Sequence, residues 1–342
     1  MLVGLIGTGA VVETAYLPAI SRLPLAEIQC YGFDPDPARQ PSGITRCESL
    51  TDLLALSLDI VFITTPSLLH LPVLEAVLKS KVAQIVVEKP VAATLEQLAV
   101  LEKWLEEPAI ASRILALDHW MVRTDAMQFI KSIAEIERIA GFLLEPSGFN
   151  DAGEPVALNF ATGKADTRQL RHPDGVIVDI GTHVLAMMRE TVYRLGGSEA
   201  LTVELLHARD RLGNGIQPGD LTTAEGDAML RGTISGIPFT LALNKYAGPA
   251  GGQKGMKIYL HDGRIVNVDR RGADEVVEVL NANSSRQLKI SGPLYDRCLE
   301  EVVLGAQRMF VSKPEEIPAL TRRRITEVKA LLAIQQTLRG KH

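Results

Sequence analysis

An α/β doubly wound parallel sheet followed by an α+β domain is the fold class this sequence predicts, and three observations carry it. Strand and helix signals alternate through residues 1–120, and strand signals then follow one another without helices between them. An apolar strand at the start of the chain ends in a glycine turn. At 342 residues the chain exceeds one typical core, so two domains are expected, 1–120 and 121–342.

The first strand, Val3–Ile6, runs into Gly7-Thr8-Gly9-Ala10-Val11, the opening of a dinucleotide-binding βαβ unit. Gly7 allows the tight turn and Gly9 lets a diphosphate approach the backbone. A helix over Glu13–Ile20 then offers its unpaired N–H groups and positive dipole end to the phosphates. Val12 stands where a third glycine or alanine is usual. The second strand, Ile28–Phe33, ends in Asp34, placed to accept hydrogen bonds from the adenine ribose hydroxyls and to repel a 2′-phosphate. NAD is therefore expected over NADP, with Arg39 near enough to leave NADP open. The plainer reading of Asp34-Pro35-Asp36-Pro37 is a solvated turn.

Further buried strands are expected at Asp59–Ile63, Ala83–Val87 and Ile114–Leu117, continuous apolar runs suited to parallel strands covered on both faces. Helical periodicity fills the gaps at Leu53–Leu56, Leu71–Lys79 and Leu95–Leu105, the last with Thr94 as N-cap and Gln97 closing a capping box. After an amphipathic stretch at Thr124–Ala134 the strands are Ile139–Leu144, Leu201–Leu206, Asp227–Ser235, Phe239–Leu243, Met256–Leu260 and Arg264–Val268. Ser235-Gly236 and Asp262-Gly263 are hairpin signals, so this sheet is antiparallel. Polar stretches at Pro146–Asp174 and Arg209–Gly226 read as functional loops. Helices at Leu294–Val303 and Arg323–Leu338 are expected to pack near the domain junction.

A formal charge of −5 gives no basic footprint for nucleic acid or an anionic membrane. Cys30, Cys47 and Cys298 show neither zinc spacing nor a disulfide framework, and no apolar run reaches membrane-spanning length. With no signal peptide before the first strand, the chain reads as cytoplasmic.

Three features fall where strand ends meet the ligand crevice of such a sheet. Thr64-Thr65-Pro66 follows the strand Asp59–Ile63 and can line a dinucleotide, while His70 opens the next helix, as a cap or as a contact to the nicotinamide ribose. Glu88-Lys89-Pro90 ends another buried strand; Lys89 there is either a crevice-facing ammonium, useful for polarising a hydroxyl, or half of a surface Glu-Lys pair. Asp179 and His183 are four apart within an apolar helical run, Gly175–Leu195, and share one helical face. A buried acid and imidazole must satisfy each other or be used. No third ligand at metal spacing stands beside them, and no G-x-S-x-G elbow appears.

In that order, Gly7-Thr8-Gly9, Thr-Pro then His70, Glu88-Lys89-Pro90 and Asp179-x-Gly181-x-His183 resemble the Gfo/Idh/MocA (glucose-fructose oxidoreductase / inositol dehydrogenase) family over essentially the whole chain. The resemblance implies a Rossmann domain, an open-faced and mainly antiparallel sheet domain, and NAD(P)-dependent oxidation or reduction of a sugar, sugar derivative or cyclitol. It also implies that Lys89 and His183 are the catalytic pair and that Asp179 helps hold the substrate. Ser67, Pro173-Asp174-Gly175 and Ala186 depart from the family's pattern and put the usual substrate in doubt. Asp118-His119-Trp120 is similar to the Asp-His-aromatic segment of glucose-6-phosphate dehydrogenases, which adds His119 to the substrate candidates; Arg123, Arg171 and His172 either meet an anionic substrate group or are simply solvated. Other readings keep these residues but retain NAD through a sugar elimination or transfer, or make the chain a dinucleotide-binding regulator. An apolar sheet face in the second domain points to a homodimer or homotetramer.

Overall fold

The computed structural model describes residues 1–24, 27–149, 152–158, 172–249, 252–281 and 284–340, so Arg171 and much of the Pro146–Asp174 loop lie outside it. Two compact units divide the chain: Met1–His119 with Pro293–Thr326, and Trp120–Gly292 with Glu327–His342.

The first unit is a six-stranded parallel sheet in the order β3-β2-β1-β4-β5-β6. Its strands are β1 (Leu2–Ile6), β2 (Gln29–Phe33), β3 (Ile44–Arg46), β4 (Ile60–Ile63), β5 (Ile85–Val87) and β6 (Ile114–Ala116). Every residue of β4, β5 and β6 is buried, which is why those runs read as continuously apolar. Five helices join them: α1 (Leu17–Arg22), α2 (Leu50–Ala55), α3 (His70–Leu78), α4 (Leu95–Trp104) and α5 (Pro108–Ala111). Thr94 caps α4 by accepting from the Gln97 N–H at 3.2 Å, but the Gln97 carbonyl oxygen reaches one residue further back than a capping box, to the Ala93 N–H at 2.9 Å.

The helix expected after the glycine turn opens instead as a wide π turn over Val12–Tyr16 before α1. Pro18 supplies the reason: lacking an N–H, it cannot donate to the carbonyl four residues back, and the ladder widens around it.

The second unit holds a nine-stranded sheet whose main path runs β15-β14-β13-β12-β7-β11-β10-β9. These strands are β7 (Ile136–Phe149), β8 (Pro155–Ala157, paired to β7), β9 (Leu201–Arg209), β10 (Asp227–Ile234), β11 (Ile237–Gly248), β12 (Gln253–Leu260), β13 (Ile265–Arg271), β14 (Asp274–Leu280) and β15 (Ser285–Ile290). All pairs are antiparallel except β7 with β11. Ser235 and Gly236, at φ +54° and +82°, form the two-residue turn between Ile234 and Ile237. The stretch Thr124–Ala134 holds short 3-10 turns at Asp125–Gln128 and Ile133–Glu135 in place of a helix.

Across this sheet lie α6 (Val176–Asp179) and α7 (Gly181–Arg194). The expected single helix breaks at Ile180, where φ is −110°, and restarts at the weak helix former Gly181. Gly141 of β7 lets α7 approach closely, since a Cβ there would run into Met188 and Val184. Twelve of the fourteen α7 residues are buried, His183 among them.

The C-terminal helices are α8 (Leu294–Cys298), α9 (Met309–Ser312) and α10 (Ile317–Leu338). Over Pro293–Thr326 the chain rejoins the first unit, unlike a single second domain running to residue 342. Edge strand β6 explains the return: the Thr321 hydroxyl donates to the Ile114 carbonyl at 2.7 Å and accepts from the Ala116 N–H at 3.2 Å. Main-chain groups that a parallel sheet leaves unpaired at its edge are thereby satisfied. Among the described residues no helix is long and apolar enough to cross a membrane.

Candidate active-site residues

In the first unit the candidates gather at the C-terminal ends of β1, β2, β4 and β5. Gly7 has φ +88°, and a Cβ on it would stand 2.8 Å from the Thr65 nitrogen and 2.9 Å from its Cα, so the two turns meet backbone to backbone. Thr64 pins the contact, its hydroxyl lying 2.6 Å from the Gly7 carbonyl and 3.1 Å from that of Ile6. Beside Gly9 the nearest atom to a hypothetical Cβ is Arg39 Nη1 at 3.7 Å, leaving the main chain open on that side. Ala10 and Val11 follow with exposed and half-buried side chains, whereas Val12 is wholly buried.

Asp34 is not simply a solvated turn residue. Its two carboxylate oxygens accept from the N–H groups of Thr8 and Asp36, each at 2.9 Å, which fixes it beside the glycine turn. Each oxygen keeps a second lone pair for a ribose hydroxyl. The Thr65 hydroxyl is buried with no hydrogen-bond partner among the described residues. An orphaned donor, an open glycine main chain and an oriented carboxylate fit a dinucleotide.

His70 and Glu88 are differently placed from the expectation that both touch cofactor. His70 is buried, with Nδ1 2.8 Å from the Pro90 carbonyl and Nε2 2.8 Å from the Thr65 carbonyl. Neither nitrogen faces a ligand; the ring ties the β4 turn to the β5 turn. Burial pushes its pKa below the ordinary value, so a neutral ring donates to one carbonyl at a time. Glu88 is buried too and belongs to no surface pair: one oxygen accepts from the Tyr16 hydroxyl at 2.5 Å, the other from the Lys89 N–H at 2.9 Å. Burial pushes the Glu88 carboxyl up, against the pull of the Tyr16 hydrogen bond and the Lys89 charge. Tyr16, which sequence reasoning missed, is thus the partner that holds the Glu-Lys turn. Lys89 is half-buried and joins Pro90 through a cis peptide bond. Farther along, His119 stacks on Tyr295 at 4.1 Å between ring centroids.

In the second unit Asp179 ends α6 and His183 lies in the first turn of α7. Their partners come from elsewhere in the sequence. Asp179 pairs with Lys245 of β11, a residue that sequence reasoning missed. Its one signal is a charge following the apolar run Phe239–Leu243 on the same strand. Burial alone would lower the Lys245 pKa, but the Asp179 carboxylate, with Glu145 behind it, outweighs that and holds the ammonium above its ordinary range. His183 stacks on Trp120, with ring centroids 5.5 Å apart and planes 18° from parallel.

Arg123 corrects the expectation of an anion-binding arginine. It is fully buried; Nε lies 2.9 Å from both Glu275 oxygens, and Nη2 donates to the Lys254 carbonyl at 2.6 Å. A short arginine-threonine segment after an apolar stretch does not reveal that its ion-pair partner lies on β14. Arg171 is outside the described residues.

Residues 1–109 match the model described as oxidoreductase family, NAD-binding Rossmann fold (GFO_IDH_MocA). No curated protein sequence matches the chain. Among solved structures, the chain is similar to KijD10, a 3-ketoreductase from Actinomadura kijaniata in complex with NADP and TDP-benzene, at 17% identity and TM-score 0.66, covering 96% of each chain. It is also similar to UDP-N-acetylglucosamine 3-dehydrogenase GnnA from Acidithiobacillus ferrooxidans, at 18% identity and TM-score 0.64, covering 98% of this chain and 99% of that one. A Gfo/Idh/MocA family oxidoreductase from Vibrio cholerae matches at 12% identity and TM-score 0.66, covering 99% and 98%. At these identities the likeness is one of fold. Residues 1–109 thus match the Gfo/Idh/MocA Rossmann model, and the chain shares its fold with solved structures that include an oxidoreductase of that family.

Proposed function

We propose that this protein is an NAD(P)-dependent oxidoreductase, with NAD preferred, acting between the secondary alcohol and the ketone of a sugar, sugar derivative or cyclitol. The observation that carries the reading is the cluster of Gly7, Asp34, the orphaned Thr65 hydroxyl and Lys89 at one end of a family Rossmann sheet. Of the neighbours named above, KijD10 is a 3-ketoreductase and GnnA a UDP-N-acetylglucosamine 3-dehydrogenase, which supports the substrate class.

Nicotinamide, when bound, supplies the hydride acceptor or donor. Gly7, Gly9, Ala10 and Val11 frame the diphosphate, Thr64, Thr65 and Pro66 line the dinucleotide, and Asp34 accepts from the ribose. During oxidation His183 takes the hydroxyl proton and the Lys89 ammonium stabilises the developing alkoxide; in reduction both roles reverse. Asp179, paired with Lys245, accepts from a second substrate hydroxyl. His119 contacts the substrate beside them.

A homo-oligomer is part of the same proposal. Strand register aligns Met229, Ala242 and Phe142 on the sheet face away from Gly141 and α7, and all three are half-buried rather than covered. A second copy of this face would cover them. Absorbance at about 340 nm, followed while sugars, nucleotide sugars and inositols are offered with NAD or NADP, tests the activity. Growth of absorbance with one substrate class supports the reading; a flat trace across the panel, in both directions, contradicts it.

A further inference from the structure

Trp120 connects the candidate proton-transfer residue to the sheet beneath it. Its indole is buried and stacks on the His183 imidazole, and the Arg123 guanidinium lies over the same ring system, 4.0 Å from its centroid. Arg123 is immobile in turn. Its Nε is held by both Glu275 oxygens on β14 and its Nη2 by the Lys254 carbonyl on β12, so two strands fix one guanidinium. Arg270 is the neighbouring cation; burial and the Arg123 charge push its pKa down, while Glu275 and Asp274 pull it up.

Resting on the proposed function, we propose that Trp120, clamped by Arg123 and Glu275, is a positioning residue that sets the ring plane of His183. An imidazole that moves a proton must keep its direction in both protonation states. A stacking contact holds the ring plane without itself engaging a ring nitrogen. An indole face also attracts the imidazolium, so the ring stays seated after it takes a proton. A guanidinium can meet the Glu275 carboxylate with Nε and the Lys254 carbonyl with Nη2 while its carbon lies over the indole, whereas an ammonium has one nitrogen for all three contacts.

The chain has two tryptophans, Trp104 and Trp120, so W104F leaves Trp120 as sole emitter. A stacked imidazole quenches an indole. Emission of the full-length W104F protein should rise when H183A is added, because the ring stacked on the indole is gone. Equal emission with and without His183 overturns the stack. With NAD and the active sugar, Trp120→Leu should lower kcat roughly 10-fold to 100-fold while KM for NAD holds, and Trp120→Phe, which keeps a flat ring, should recover most of it. Equal kcat for the Leu and Phe variants overturns the positioning role; if the Leu variant does not fold, kcat of Trp120→Phe against Trp120→His decides, an aromatic stack predicting turnover in both. An emission change on adding H183A, in a protein that turns over no sugar, overturns the functional reading, and the positioning role falls with it.

Discussion

The two units secure their functional groups by opposite means. In the first, Asp34 is set by main-chain N–H groups, Gly7 by backbone contact with Thr65, and His70 by two carbonyls. In the second, side chains far apart in sequence hold one another: Asp179 with Lys245, His183 with Trp120, Arg123 with Glu275. A main-chain scaffold tolerates sequence change except at glycine and at the residue that reads the ligand. A side-chain scaffold fails when either partner is removed. The lesson is that the second unit should be the more fragile to substitution and the more specific in what it recognises.

The largest stability effect expected from this contrast is at Arg123. Arg123→Met leaves the buried Glu275 carboxylate without its cation and should cost about 3–5 kcal/mol, read as a lower urea midpoint. A loss below about 1 kcal/mol would put the pair among ordinary surface bridges. Next comes Gly7→Ala, the point where the main-chain scaffold is brittle. A side chain at φ +88° against the Thr65 backbone adds about 1–3 kcal/mol of strain and should weaken NAD binding roughly 10-fold to 100-fold by calorimetry. Gly9→Ala, with nothing nearer than 3.7 Å, should fold normally and lose affinity only if a diphosphate does pass there.

Lys245→Gln sharpens the comparison at smaller scale. Asp179 loses its cation, and KM for the sugar should rise several-fold while NAD affinity is unchanged; a change in NAD affinity instead would detach Lys245 from the substrate role. The smallest effect belongs to His70. Burial lowers its folded pKa below the ordinary 6.5, so the unfolded chain binds the proton more readily. Its contribution to stability is present above that ordinary value and is lost as pH falls through the depressed folded pKa. Acid unfolding of His70→Asn should therefore show a shallower slope below about pH 6.5 than wild type. Equal slopes would mean the ring is charged in the fold, donating to both carbonyls at once.

What could be read from sequence follows the same division. Strands β1, β2, β4, β5 and β6 are legible because burial on both faces writes itself as an unbroken apolar run. Strand β3 is three residues long, partly exposed and placed at an edge, so Ile44–Arg46 carries no such run. Strands β14 and β15 escape notice because Glu275, Glu278, Arg286 and Lys289 break the alternation. Glu275 is buried all the same, since its charge is answered by Arg123. Gly7, Asp34 and Lys89 announce themselves by position after a strand. Tyr16 and Lys245 do not, because what matters is the partner each meets, 66 residues away for Lys245 and 72 for Tyr16. Local chemistry is written locally; a pair is visible only when the chain has folded.

The central claim is that His183 exchanges the proton while Lys89 stabilises the alkoxide, and the pH profile of kcat for sugar oxidation tests it most directly. Wild type should show an ascending limb from deprotonation of a single base. In His183→Ala, kcat should fall roughly 10²-fold to 10⁴-fold, NAD affinity should hold, and that limb should disappear. Lys89→Ala should be slow as well but should keep the limb. A limb that persists in His183→Ala and vanishes in Lys89→Ala would contradict the account and make the lysine the base.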